Sequence, residues 1–122
     1  PDGFEWINCG GKQHGKRKCA PEREVLQAIV RRLIGCPRLR VWRQNTGAAK
    51  YGRTLVRFGT PGQADLSGIL DDGRRLEIEV KAKDGRVSPD QIAFGEMITR
   101  MGGVYVLARS VLDVEVALSE YL

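Results

Sequence analysis

The chain has 122 residues, of which 42% are hydrophobic and 29% are charged. This length and balance predict one globular domain with its own hydrophobic core, and they leave no room for a second domain. No apolar run approaches the length of a membrane span, and the N-terminus lacks the apolar core of a secretory signal. We therefore expect no membrane association, a cytoplasmic and reducing environment, and free thiols.

The composition is basic, with twenty Lys and Arg residues against fifteen Asp and Glu residues, a net charge of +5 and a pI near 9.4. An excess of positive charge favours an anionic partner, and nucleic acid is the obvious one. A soluble basic domain without such a partner has the same composition, so charge alone leaves both interpretations open.

Residues 1–20 differ from the rest of the chain, because they are rich in Gly and Lys and show no hydrophobic periodicity. We predict that they form a basic N-terminal arm, which either contacts phosphates or makes no contact. One domain follows over residues 21–122. The alternative for this region is a zinc site, formed by Cys9, His14, Cys19 and Cys36. No paired Cys-x-x-Cys or His-x-x-x-His spacing supports that alternative.

Periodicity, capping residues and turn residues predict helices alternating with strands. In chain order the predicted elements are a helix over 21–35, strands over 39–43 and 53–58, a strand from Asp65, a strand over 76–81, a helix over 88–101, a strand over 104–108 and a helix over 110–122. Because the 104–108 strand returns through a helix, it should lie parallel to the 76–81 strand. The prediction is an α/β fold, of the α+β type, with a mixed sheet flanked by helices.

The apolar stripes predict which side chains of the last two helices face inward. In the helix that starts at Ser88 they are Ala93, Phe94, Met97, Ile98 and Met101. In the final helix they are Val114, Ala117, Leu118 and Tyr121.

The stretch from Asp65 to Lys81 carries the strongest chemical signal. Leu76, Ile78 and Val80 alternate with polar residues, so Glu79 and Lys81 should project from the same face of a strand. The turn Asp71-Asp72-Gly73 joins this strand to the one that begins at Asp65. A two-residue turn would place Asp65 opposite Val80, whereas a three-residue turn with Gly73 in the left-handed conformation places it opposite Glu79. We predict the three-residue turn, because it brings two carboxylates close enough to share a hard cation such as Mg²⁺ or Mn²⁺.

A second group of residues is suited to binding DNA. A polar loop is predicted over residues 44–52, and a basic turn follows the Glu79 strand. Their side chains offer donors for phosphate and sugar oxygens and one ring for stacking, and a solvated loop is the alternative. The candidate nucleic-acid-binding residues are Arg43, Gln44, Asn45, Thr46, Lys50, Tyr51, Lys83 and Arg86.

Several short motifs in a fixed order resemble one known family. They are Glu24 with the helix that follows it, the segment Val41-Trp-Arg-Gln-Asn-Thr-Gly-Ala48, Gly62-x-x-Asp65, Glu79-Val-Lys81 and Ser88-Pro-Asp-Gln91. Each motif alone is weak, but their joint order on matching elements is similar to the virus-type replication and repair nuclease (VRR-NUC) family of the PD-(D/E)XK nuclease superfamily. The resemblance covers about residues 21 to 122.

The resemblance implies a restriction-endonuclease-like core and a set of catalytic residues. In this view Asp65, Glu79 and the main-chain carbonyl of Val80 hold the metal, and Lys81 positions the attacking water or stabilises charge on the phosphate. Glu24 matches the family's helix-one glutamate, and Gln91 matches the glutamine of the helix after the Glu-x-Lys strand. The proline that often precedes the family's aspartate is replaced by Ala64, which puts the local turn in doubt and leaves the metal ligands in place.

We therefore expect a Mg²⁺- or Mn²⁺-dependent DNA endonuclease acting at branched, Holliday-junction-like DNA as a homodimer, in a bacterium or a phage-infected host cell. The substrate preference and the homodimer follow from the resemblance. Two alternatives are a duplex or flap nuclease of the same superfamily and a DNA-binding module that has the fold without the activity.

Overall fold

The computed structural model of the chain describes residues 21–45 and 47–122. The predicted basic arm, the zinc alternative with Cys9, His14 and Cys19, and the DNA contact predicted for Thr46 fall outside these residues. The described part contains three helices, α1 (Glu22–Leu33), α2 (Pro89–Arg100) and α3 (Val111–Ala117), and six strands, β1 (Leu39–Arg43), β2 (Gly47–Tyr51), β3 (Thr54–Phe58), β4 (Leu66–Leu70), β5 (Arg75–Val80) and β6 (Val104–Ala108).

The main sheet has the strand order β1-β4-β5-β6. Strands β1, β4 and β5 pair antiparallel, and β6 pairs parallel to β5 after the crossover through α2. The predicted mixed sheet, and the parallel position of the last strand, are therefore confirmed. The molecule is an α+β structure with helices on both faces of this sheet.

The two faces of the sheet bury different kinds of side chain. On one face α1 and α3 cover the main hydrophobic core, where Ile29, Leu66, Ile78 and Val114 are each fully buried. On the other face α2 packs through Phe94 and Ile98 in a smaller cluster. Strand β5 separates the two, because its apolar residues point to the main core and its glutamates point towards the α2 side. The α2 face therefore buries the polar residues of the sheet.

Strand β2 corrects one prediction, since residues 47–51 pair with β3 where a polar loop over 44–52 was expected. The β2 and β3 strands form a two-stranded sheet of their own, outside the main sheet. Ala48 and Ala49 have low strand propensity. Pairing with Thr54–Phe58, whose residues have higher strand propensity, stabilises β2 as a strand.

The helix ends and faces also differ in detail from prediction. The capping box at Ser88 forms as predicted, with Gln91 at its third position. Ala93, however, is exposed because it lies about 100° from Phe94 around the helix. Met101 is exposed because α2 ends at Arg100, and Ala117 is exposed at the end of α3, after which a short 3-10 turn over Ser119–Tyr121 replaces the predicted continuous helix. In the described residues no helix has the length and apolar character needed to span a bilayer.

Candidate active site

The β4–β5 hairpin has the register that a metal site requires. Gly73, with φ of +91°, closes a three-residue turn in which its amide donates to the Leu70 carbonyl at 2.9 Å. The paired residues run from Ile69 opposite Arg75 to Leu66 opposite Ile78. One further step along both strands brings Asp65 opposite Glu79, so the three-residue turn predicted from the sequence is confirmed.

Asp65 is fixed at the end of β4 by main-chain bonds on both sides. Its carbonyl accepts from the Gln44 amide at 2.9 Å, which ties it to the end of β1. Its carboxylate oxygen Oδ2 accepts from the Val80 amide at 2.8 Å. Because the amide and carbonyl of one strand residue point to the same neighbouring strand, the Val80 carbonyl also points to the β4 side of β5, on which Asp65 lies.

Glu79 is almost fully buried, with 2% of its surface exposed. Its Oε2 accepts a hydrogen bond from the Gln91 side-chain amide at 2.8 Å, and Lys81 Nζ lies 3.7 Å from the same oxygen. The other oxygen, Oε1, is buried and has no hydrogen-bond partner among the described residues. Glu79 therefore carries an uncompensated acceptor inside the protein, which costs free energy unless another group binds there.

Glu77, two residues earlier on the same face, shows how such a carboxylate is otherwise satisfied. It is equally buried, but Ser67 Oγ donates to one oxygen at 3.1 Å and Arg75 Nε donates to the other at 2.6 Å. Both oxygens of Glu77 are thus compensated by protein groups. The contrast marks Glu79, and not Glu77, as the carboxylate that is open to a ligand.

Burial, together with the nearby charge of Asp65, raises the pKa of Glu79 from 4.5 to about 7. Lys81 opposes this shift, and the charge of Glu22 adds to it. Two neighbouring carboxyl groups repel each other once both are ionised. A divalent cation would relieve that repulsion, because it places positive charge beside both carboxylates.

The donors at this site fit a hard divalent cation such as Mg²⁺ or Mn²⁺. Carboxylate and carbonyl oxygens are the ligands such ions prefer, and the orphaned Glu79 Oε1 supplies a free one. No three His, Cys, Asp or Glu side chains in residues 21–45 and 47–122 converge as a metal cage. Asp65 and Glu79 would therefore share the ion with the Val80 carbonyl and with water or phosphate oxygens, as is common for Mg²⁺.

Helix α1 carries two glutamates in its first turn, the predicted Glu24 and Glu22. Glu22 is exposed, lies on the same helical stripe as the buried Val25, Leu26 and Ile29, and its charge contributes to the raised pKa of Glu79. Glu24 is half-buried and lies about 200° around the helix from Glu22. Both are candidates for the helix-one carboxylate.

Tyr105 is a neighbour of the site that sequence reasoning missed. It stands opposite Glu77 on β6 and is therefore diagonal to Glu79 on the same face. Its buried hydroxyl has no hydrogen-bond partner in the described part of the chain, and burial together with the charge of Glu79 raises the pKa of Tyr105 to about 12. A Cβ at Gly95 would lie 2.6 Å from the ring, so only glycine at that position allows α2 to pack this closely. A tyrosine within an apolar strand carries no sequence signal of such a position.

The predicted nucleic-acid-binding residues fall into three places. Arg43 ends β1, with Gln44 and Asn45 directly after it beside Asp65. Lys50 and Tyr51 are exposed on β2, in the two-stranded sheet. Lys83 and Arg86 are exposed on the turn between β5 and α2, where Arg109 donates to the carbonyls of residues 82, 83 and 85. Arg109, which the sequence did not single out, thus fixes the shape of that turn.

Comparison of the chain with models of protein families, with curated proteins and with solved structures finds no match. The interpretation of the site therefore depends on its geometry. That geometry brings Asp65, Glu79, Val80, Lys81 and Gln91 together at one end of the central strands β4 and β5.

Proposed function

We propose that the protein is a divalent-metal-dependent endonuclease that hydrolyses phosphodiester bonds in DNA. The single observation that carries the proposal is the buried Glu79 carboxylate, opposite Asp65 and beside Lys81, with one oxygen left without a partner. A net charge of +5 supports an anionic substrate. No other pair of carboxylates in the described residues combines this register with this burial.

In this proposal the residues of the site divide the work. Asp65, Glu79 and the Val80 carbonyl would hold Mg²⁺ or Mn²⁺. Bound there, the ion would lower the pKa of an attacking water and stabilise negative charge on the phosphate. Lys81, with only 13% of its side chain exposed and 3.7 Å from Glu79 Oε2, holds its ammonium group where it can orient that water or contact a phosphate oxygen.

Gln91 has a positioning role. Its amide holds Glu79 Oε2, while its carbonyl oxygen accepts from the Ser88 amide at the start of α2. The orientation of Glu79 is therefore tied to the first turn of a helix, which is a rigid support.

The order of helix, antiparallel hairpin, helix and parallel strand is compatible with the PD-(D/E)XK core, and we propose membership of the VRR-NUC family on the motifs given above. That membership would make branched DNA the preferred substrate and a homodimer the active form. The two sites of a dimer would then cut two strands of one junction.

The test is cleavage of a labelled four-way junction, a flap, a duplex and a single strand, each with Mg²⁺, with Mn²⁺ or with EDTA. We expect cleavage that requires metal and is abolished in Asp65→Ala and Lys81→Ala. Glu77→Gln is the matched control, because Glu77 is equally buried on the same strand but has both oxygens satisfied within the protein. Full activity of the Asp65 and Lys81 variants would refute the assignment, and DNA binding without cleavage under any metal would identify a binding module.

A further inference from the structure

The β2–β3 hairpin, residues 47–58, is the most exposed element of the described chain. Every residue from Tyr51 to Thr60 is exposed, including Leu55, Val56 and Phe58. A two-stranded hairpin alone in water is marginally stable at best. Because this exposed ribbon carries apolar side chains, we expect a partner to bind it and cover them.

The charge of this region indicates which partner. Residues 39–64 contain no Asp or Glu but carry five cationic residues, Arg40, Arg43, Lys50, Arg53 and Arg57. A second copy of such a surface would be repelled, whereas a polyanion is attracted. Charge complementarity thus favours nucleic acid as the occupant.

The register of the hairpin sorts its side chains onto two faces. Lys50 lies opposite Leu55 and Ala48 lies opposite Arg57, which places Lys50 and Arg57 on one face. The other face carries Ala49, Tyr51, Thr54, Val56 and Phe58, while Ala48 and Leu55 share the face of the two cations. The ribbon therefore carries Lys50 and Arg57 on one side and both aromatic rings on the other.

Both ends of the hairpin connect to the candidate active site. The chain enters it after Gln44, whose amide binds the Asp65 carbonyl, and returns through Gly62 to Asp65 itself. A Cβ at Gly62 would lie 2.2 Å from the Asp90 carbonyl, so this return segment is pressed against the start of α2. Strands of five residues extend about 17 Å. Measured along the helix axis, this length corresponds to roughly five phosphates of one strand.

We propose that the β2–β3 hairpin is a DNA-binding arm that lies in the major groove of the duplex flanking the scissile phosphate. The major groove admits a two-stranded ribbon of this size. Lys50 and Arg57 contact phosphates, and Tyr51 and Phe58 face sugar and base edges. Because its contacts are chiefly to the backbone, the arm binds without sequence preference. This inference rests on the proposed function for its substrate.

The test measures DNA binding as a function of salt in the presence of EDTA, so that cleavage does not enter. The probe is a duplex DNA of about 20 base pairs, and the variant is Lys50→Gln/Arg57→Gln. Each lost phosphate contact lowers the slope of log K against log salt by about 0.9. We expect a slope smaller by about 1.8 and binding weaker by on the order of ten- to sixty-fold at about 0.1 M salt.

The matched control is Arg31→Gln/Arg100→Gln, which removes the same charge from the far ends of α1 and α2. We expect it to keep the wild-type slope. An arm variant with the slope of the wild type would overturn the proposal, as would equal losses in the arm variant and the control. If Val56→Ser/Phe58→Ser converts a dimer to a monomer in sedimentation while Lys50→Gln/Arg57→Gln binds DNA normally, the occupant is a second copy and the proposal fails.

These outcomes are separable from the proposed nuclease activity. Salt-dependent loss of binding in the arm variant supports the arm even if the wild type cleaves no DNA with any metal. Metal-dependent cleavage by a wild type whose arm variant binds normally supports the nuclease and overturns the arm.

Discussion

The side-chain amide of Gln91 donates a hydrogen bond to Glu79 Oε2 at 2.8 Å, while the other end of the same side chain accepts from the Ser88 amide. One residue thus joins the start of helix α2 to a buried carboxylate on β5. A capping box, which usually stabilises only its own helix, here also orients a candidate metal ligand.

Gln91→Ala should therefore weaken metal binding and cleavage by roughly 10- to 100-fold, as is typical when a partner of a ligand is removed. Ser88→Ala is the matched control, because it removes the cap and leaves the Gln91–Glu79 bond. That control should cost about 1 kcal/mol of stability with little effect on metal affinity. Calorimetric titration with Mn²⁺ measures the metal affinity of both variants, and thermal unfolding measures their stability. Equal metal affinities of Gln91→Ala and Ser88→Ala would contradict the positioning role of Gln91.

The raised pKa of Glu79 predicts how stability depends on pH in the absence of metal. Between pH 4.5 and about 7 the folded protein holds a proton on Glu79 that the unfolded chain releases, so the free energy of unfolding falls as the pH rises through this window. The loss attributable to Glu79 is on the order of 1–3 kcal/mol. Glu79→Gln should remove this dependence. Urea unfolding at pH 5 and pH 8 in EDTA checks it, and an unchanged pH dependence in the variant would count against the shift.

Metal should reverse that loss in the wild type. At pH 8, where Glu79 is ionised, saturating Mg²⁺ or Mn²⁺ should raise the melting temperature, because the ion binds only the folded site. Glu79→Gln and Asp65→Asn should show little of this rise. The same rise in all three proteins would place the ion elsewhere.

Glu22 and Glu24 give a test of which helix-one carboxylate belongs to the site. The charge of Glu22 contributes to the pKa of Glu79, so Glu22→Gln should lower that pKa and change the metal dependence of cleavage. Glu24→Gln, on another side of the helix, should leave both nearly unchanged. The reverse pattern, seen by NMR titration of Glu79 and by activity against metal concentration, would assign this role to Glu24.

Gly62 and Gly73 both have positive φ, at +78° and +91°, and they differ in what surrounds them. A methyl group at Gly62 would clash with the Asp90 carbonyl at 2.2 Å, whereas at Gly73 it would meet no atom of the described residues within 4 Å. Gly73→Ala should therefore cost about 1–2 kcal/mol from backbone strain alone. Gly62→Ala should cost more and also reduce cleavage, because it separates the Asp65 segment from α2. If Gly62→Ala and Gly73→Ala lowered the melting temperature and the activity equally, the packing of Gly62 against α2 would be unimportant.

The sequence predicted those features of the fold and of the candidate site that are determined by residues close together in the chain. The hairpin register was predictable, because Asp71-Asp72-Gly73 offers a left-handed residue only at its third position and the alternation in β5 fixes which side chains share a face. The start of α2 was predictable from Ser88, Pro89 and Gln91. Both results come from short-range chemistry.

The features that were missed depend on packing between distant parts of the chain. Two acids in the first turn of α1 are equally favoured by the helix dipole, so the sequence alone does not distinguish Glu22 from Glu24. The Ala-rich strand β2 is specified by its partner β3. The burial of Glu77 and Glu79 follows from the coverage of the sheet by α2, which a pattern of alternating residues does not reveal.

The most direct test of the central claim is a crystal structure grown or soaked with Mn²⁺, examined by its anomalous scattering. We expect one strong peak per chain between the Asp65 and Glu79 carboxylates, within ligand distance of Glu79 Oε1, and its loss in Asp65→Asn. Ordered Asp65 and Glu79 side chains with no peak between them at saturating Mn²⁺ would contradict it.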